Sequence, residues 1–285
     1  MKIQKILVPV DFSQRSEEAL KIAAQIARKT GAEIILLHLI DLPSNEVGMF
    51  HNGVPTGPAA IILMETARDN FEKLLEKDYL EGLRVEDFVD FNKPFEGISE
   101  YAEEKNVDLI VMGSHGVTGL DSFFVGSNTE KVVRTSRIPV LVIKKPVENF
   151  DLKKVIFASS FKEECHRCFA QLIRFIEIYQ PDVKLLRVNT ITNFLATHES
   201  ENIIEDFLQK HKDTGFDLNF EKVVYDDYSV QQGIFNYADK IDADLIALAT
   251  HGRQGLMHFL QDSIAEDVVN KAERNILTFR IEKKK

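Results

Sequence analysis

Three glycines and a serine in the first half of this 285-residue chain have the types and spacing to hold phosphate. Gly113-Ser114-His115-Gly116 follows an apolar run, and Gly126-Ser127 begins ten residues beyond Gly116. A glycine has no Cβ, so its backbone can turn sharply and come close to a ligand. Ser127, with Glu130 three residues later, has the form of a capping box and so marks the start of a helix. The unpaired amides and partial positive charge at a helix N-terminus favour phosphate oxygens. Asp11, which closes another apolar run, offers a carboxylate to a ribose hydroxyl or an exocyclic amine. Glycines that only make turns and a serine that only caps a helix would explain each residue singly. The conjunction with Asp11 favours a nucleotide site.

Such residues must be carried on strands and helices. Short apolar segments predict strands over about 4–10, 33–39, 85–90, 108–113 and 139–144. Between the first two, Ala19, Leu20, Ala23, Ile26 and Ala27 recur at helical spacing from Ser16 to Lys29, and Gly31 supplies the stop. Alternating strands and helices of this length imply a parallel sheet covered on both faces. Ligands of such sheets bind beyond the carboxyl ends of the strands, where Asp11 and Gly113 fall.

The pattern then repeats. Lys5 to Ser13 (KILVPVDFS) returns as Lys154 to Lys162 (KVIFASSFK) at an offset of 149, and the same offset carries Leu36-Leu37-His38-Leu39 onto Leu185-Leu186-Arg187-Val188. Val107 to Gly116 (VDLIVMGSHG) returns as Ala243 to Gly252 (ADLIALATHG) at an offset of 136, which also carries Gly97-Ile98 onto Gly233-Ile234. The second copy is therefore shorter by 13 residues after its second strand. The first spends them on Leu42 to Pro58, a glycine- and proline-rich stretch expected to be a loop of the kind that forms lids. Lys145 to Phe150, with Pro146, is expected to link the copies.

The segment G-x2-G-x9-G-S from Gly113 to Ser127 resembles the ATP motif of the universal stress protein family, and Val8 to Ser13 and Ile138 to Ile143 resemble that family's first and last strands. The likeness recurs in both copies. It implies an α/β fold of two tandem Rossmann-like, adenine nucleotide alpha hydrolase-like domains over 1–145 and 151–285. Each would be a five-stranded parallel sheet, order 3-2-1-4-5, with helices on both faces. Val140 to Ile143 would pair with Ile276 to Phe279 within the chain, a pseudo-dimer to which a homodimer could be added.

The resemblance also implies ATP, with Mg2+, as cofactor. By position, Pro9, Val10 and Asp11 would line the adenosine end, and Leu39 would pack on the adenine ring. Met112, Gly113, His115 and Gly116 would frame ribose and phosphates, and Gly126, Ser127 and Asn128 would hold the phosphates. No catalytic residue or metal ligand is assigned.

The second copy departs where it matters: Pro9 becomes Ala158, Asp11 becomes Ser160, Gly113 becomes Ala249 and Gly126 becomes Asp262. Gly252, Ser263 and the capping Glu266 remain. A carboxylate about 4 Å from a phosphate charge costs roughly 4 kcal/mol at an effective dielectric of about 20, so this crevice is expected to be closed to ATP.

Other signals have plainer readings. Cys165-His166-Arg167-Cys168 has CxxC spacing but falls in the expected helix, with Cys168 buried and Cys165 near the surface, and His198 and His211 supply no paired metal-ligand spacing. Phe123-Phe124 and Phe259-Leu260 read as loop anchors, His251 as a loop residue, and Phe169, Leu172, Ile173 and Ile176 as core.

With 45 acidic and 35 basic residues and a net charge of −10, nucleic acid is not the expected partner. Lys144-Lys145 and Lys283 to Lys285 read as solvated chain ends. No apolar run approaches the roughly 20 residues of a membrane span, Met1 to Phe12 lacks the form of a signal peptide, and the two cysteines suit a reducing cytoplasm. The expected function is ATP-dependent regulation in stress physiology through a protein partner. A slow ATPase, which lacks a Walker lysine here, and a nucleotide-free scaffold are the alternatives.

Overall fold

The computed structural model describes residues 3–42, 50–51, 54–55, 57–91, 94–114, 126–145, 148–211, 218–250 and 262–281. The first repeat runs β1 (Lys5–Pro9), α1 (Gln14–Thr30), β2 (Glu33–Leu39), β3 (Phe50–His51), β4 (Val54–Pro55), α2 (Pro58–Leu75), β5 (Val85–Asp90), α3 (Pro94–Glu104), β6 (Leu109–Gly113), α4 (Ser127–Thr135) and β7 (Val140–Ile143). The second runs β8 (Lys154–Ala158), α5 (His166–Ile176), β9 (Asp182–Asn189), α6 (Thr197–Gln209), β10 (Asn219–Asp226), α7 (Val230–Ile241), β11 (Leu245–Thr250), α8 (Asp262–Lys271) and β12 (Asn275–Arg280).

The central strands are apolar without alternation because both faces of the sheet are covered. Ile6 and Val8 pack with α1 and α2 on one face, whereas Leu7 packs with α3 and α4 on the other. Helix α1 begins where the Ser13 hydroxyl accepts from the Ser16 amide and ends at Gly31, whose φ of 76° is a left-handed conformation open to glycine.

All ten long strands form one sheet, in the order β10-β9-β8-β11-β12-β7-β6-β1-β2-β5. Within each repeat the five strands are parallel and follow the order 3-2-1-4-5. The repeats join through antiparallel β7 and β12, with Leu141 opposite Leu277 and Thr278 opposite Val140. Each edge strand thereby covers the other, which removes two open edges.

The expected linker runs into packed structure: Phe150 and Leu152 are buried, the Phe150 amide donates to Gln25 Oε1 at 2.6 Å, and the Phe150 and Tyr179 rings meet edge to face at 5.8 Å. An aromatic residue at the junction gains more from the core than from water. Two expectations need correction. Lys144 does not simply solvate a chain end. Its amide donates to Asn275 Oδ1 at 2.9 Å, its Nζ donates to the Asn270 carbonyl, and burial lowers its pKa to about 8. Finally, the 42–58 segment is not all loop. Phe50–His51 and Val54–Pro55 pair as a short hairpin, and Pro58 opens α2 after Gly57. Proline suits a first helical turn, where its missing N–H would have no intrahelical partner. No helix among the described residues is long and apolar enough to cross a membrane.

Candidate functional site

Of the residues predicted to bind nucleotide, Pro9, Val10, Asp11, Leu39, Met112 and Gly113 lie at or just beyond the carboxyl ends of β2, β1 and β6, three adjacent strands. Pro9 stands level with Leu37, and Leu7 level with Ile110. Continuing those registers brings Asp11 level with Leu39 and Val10 level with Gly113. The chain crosses from one face of the sheet to the other between β1 and β6, since α1 and α2 cover one side and α3 and α4 the other. In open parallel sheets such a divergence is where a crevice forms at the strand ends.

Helix α4 starts at this crevice. The Gly126 amide donates to the Ser114 carbonyl at 2.7 Å, and Thr129 Oγ1 donates to the Gly113 carbonyl at 2.9 Å. Those bonds hold the start of α4 against the end of β6. The capping-box expectation is corrected here: the N-cap is Gly126, with no side-chain cap hydrogen bond, and Ser127 is the first helical residue. A glycine N-cap leaves the amides of the first turn without the side-chain oxygen that normally covers one of them. Asn128 lies exposed in the same turn, while Val10 and Met112 are buried beneath the crevice. His115, Gly116 and the Ser127 side chain lie outside the described residues, as do Phe123-Phe124, His251, Gly252, Phe259-Leu260 and the side chains of Asp262, Ser263 and Glu266.

Gly113 is needed for a different reason from the one the motif suggests. A Cβ built there would stand 2.8 Å from the Arg15 carbonyl oxygen, so the missing side chain admits the first turn of α1. Asp11 also has a local task, its Oδ1 accepting from the Ser13 amide at 3.0 Å. A carboxylate has acceptor sites on two oxygens, so holding this turn is compatible with receiving a ribose hydroxyl.

Two residues of the turn were not singled out from the sequence. His38 Nδ1 lies 2.8 Å from the Val10 carbonyl and ties β2 to the segment carrying Asp11. Phe12 has φ of 60°, its ring centroid lying 4.6 Å from that of His38, and Phe161 has φ of 57° at the matching place in the second repeat. Bulky residues rarely take this conformation. The available signal was the polar pair His38 and Arg187, aligned in otherwise apolar strands.

The model of the universal stress protein family matches residues 2–144 and again 151–280. The chain belongs to the universal stress protein family. Universal stress protein MJ0577 of Methanocaldococcus jannaschii is 34% identical over 154 residues, covering 50% of this chain and 95% of that protein. Universal stress protein Slr1230 of Synechocystis is 22% identical over 280 residues, or 97% of this chain and 89% of its own. The crystal structure of a universal stress protein from Archaeoglobus fulgidus superposes with a TM-score of 0.76 at 19% identity, covering 98% of both chains, and supports the fold.

In this universal stress protein the CxxC segment is structural. Cys165 closes a short 3-10 turn and Cys168 lies in α5, as expected of helix residues, but Cys165 is only 2% exposed rather than near the surface. Phe169, Leu172, Ile173 and Ile176 are buried as the spacing predicts. Burial, followed by the neighbouring Cys165, raises the Cys168 thiol to about 12, which suppresses its thiolate.

Beside it, His166 Nδ1 and His211 Nε2 lie 2.8 Å apart, with Glu163 at 3.5 Å from His166 Nε2 and Lys210 paired to Glu163. One nitrogen of such a contact must lack a proton. Burial and then the His166 charge accordingly lower the His211 pKa from its ordinary 6.5. The unfolded chain binds more protons than the folded one as acidity increases. This contribution to stability is therefore complete above that ordinary value and is lost as pH falls through the lowered one. Chemical denaturation should show the native state weakening across the histidine range, with a shallower slope in His211→Gln. Equal slopes in the two proteins would remove the pair as the cause.

Proposed function

We propose that this universal stress protein binds Mg-ATP in the crevice of its first repeat alone, and that occupancy alters a surface read by a protein partner in stress physiology. The observation that carries this reading is the N-terminus of α4, capped by Gly126 without a side-chain hydrogen bond and held beside Gly113 at the end of β6. That arrangement suits an anion, and the level placement of Asp11 and Leu39 suits a nucleoside at its other end. Pro9 and Val10 complete the adenosine wall, and Met112, His115 and Gly116 belong with the ribose and phosphates. Gly126, Ser127 and Asn128 supply phosphate donors. Bound Mg2+ would neutralise part of the phosphate charge.

The second crevice lacks these features. Ala158, Ser160 and Ala249 line a cavity of about 140 Å³, below the roughly 300 Å³ at which pockets for drug-sized ligands begin. Calorimetric titration of the full chain with Mg-ATP is expected to give one site, abolished in Asp11→Ala while Tm stays close to wild type. Two sites, or binding unchanged by that substitution, would refute the assignment.

A further inference from the structure

The second crevice contains a cation that no carboxylate among the described residues neutralises. Arg187, on β9, is only 7% exposed and stands where the first repeat has His38. Its Nη1 donates to the Ser160 carbonyl at 3.3 Å, in place of the His38 contact to Val10, and its Nε has no hydrogen-bond partner among the described residues. Burial alone lowers its pKa, without an offsetting carboxylate among the described residues. A buried guanidinium without a counter-charge is costly, and so is a buried N–H without an acceptor.

The same side chain lines the cavity of about 140 Å³ at the ends of β8, β9 and β11. Asn193, Ser159 and Ser160 contribute polar groups to its wall, and Val188, Ile234 and Leu248 contribute aliphatic ones. One cation, a few neutral polar groups and an aliphatic part of the wall match one negative charge on a short hydrocarbon body. The volume admits only a small molecule. A phosphate dianion would bring more charge than one guanidinium balances and would leave the aliphatic wall unfilled.

We propose that the second crevice is a binding site for a short-chain monocarboxylate, with Arg187 as its counter-ion and hydrogen-bond donor. The site is independent of nucleotide in the first repeat. Guanidinium and carboxylate meet through paired N–H···O bonds, for which arginine is better shaped than lysine.

The test is calorimetric titration of the full chain with butyrate and, separately, inorganic phosphate, in wild type, Arg187→Met, Arg187→Lys, Asp262→Ala and Asp11→Ala. Wild type should bind one butyrate and prefer it to phosphate. Arg187→Met should lose about tenfold or more in affinity, the loss of a charged hydrogen bond, while its ligand-free Tm holds or rises because the unpaired charge is gone. Arg187→Lys keeps the charge and should retain weaker binding, which guards against misfolding of the methionine variant. Asp11→Ala should bind butyrate normally, so failure of the ATP assignment is distinguishable. Absence of saturable butyrate binding to folded wild type, equal binding by folded Arg187→Met, or preference for phosphate would overturn the proposal. So would binding that emerges only in Asp262→Ala, since the chain's own carboxylate would then be the occupant.

Discussion

Gly126→Asp is expected to weaken Mg-ATP binding by about a thousandfold while leaving the fold at least as stable. The substitution copies the second repeat, where Asp262 occupies the matching place. Gly126 has φ of −60° and ψ of 144°, an extended conformation open to any L-residue, and it caps α4 without a side chain. Aspartate is among the best N-caps, and replacing a capping glycine with it changes helix stability by only a few tenths of a kcal/mol. The carboxylate would, however, stand where the proposed site puts the phosphate oxygens. At about 4 Å and an effective dielectric of about 20, that repulsion is roughly 4 kcal/mol. Calorimetry and thermal unfolding on one preparation separate the two effects. Unchanged ATP affinity in a folded Gly126→Asp protein would put the nucleotide elsewhere.

For the other glycine of the motif the expectation is the reverse, a loss of fold before a loss of ligand. Gly113→Ala should destabilise the protein by about 1–3 kcal/mol, the ordinary range for overpacking. The new methyl carbon would meet the Arg15 carbonyl oxygen at 2.8 Å and the Arg15 Cβ at 3.2 Å, so the first turn of α1 must move away from β6. Arg15 lies two residues beyond Ser13, whose amide is held by Asp11, so the displacement should also reach the adenosine end. The second repeat, with Ala249 in this place, starts its corresponding segment with a 3-10 turn at Glu163–Cys165 and reaches α5 only at His166. Denaturant unfolding of Gly113→Ala reads the cost directly. A wild-type midpoint would mean that α1 accommodates the methyl group freely.

The two glycines show how far a motif can be read. G-x2-G-x9-G-S marked the right end of the sheet and the start of α4. It did not distinguish a glycine that leaves room for a helix from one that leaves a helix end bare. The spacing is identical in either case, and only the neighbour facing the absent Cβ decides. The capping box failed for a related reason. Ser127 and Glu130 have the correct separation, but the chain enters α4 one residue earlier because the Gly126 amide is held by the Ser114 carbonyl, a contact from another element. Cys165 is buried rather than near the surface, and it closes the 3-10 turn at Glu163–Cys165 instead of lying within α5.

The sequence by itself determined the repeat, the parallel sheet in each copy, the helix of α1 with its stop at Gly31, and the pairing of β7 with β12. The first three follow from apolar periodicity, from glycine's access to positive φ and from similarity between the halves, which are local or repeated signals, whereas the pairing of β7 with β12 was implied by the family resemblance. Tertiary structure alone decided that Phe150 locks the repeats together, that Lys144 is drawn into their junction, and that His166 meets His211 across 45 positions. It also decided that Arg187 lies buried at the foot of the second crevice. Such facts depend on what surrounds a charge or a ring once distant segments pack, and a side chain's solvation is a property of its neighbours rather than of its place in the chain.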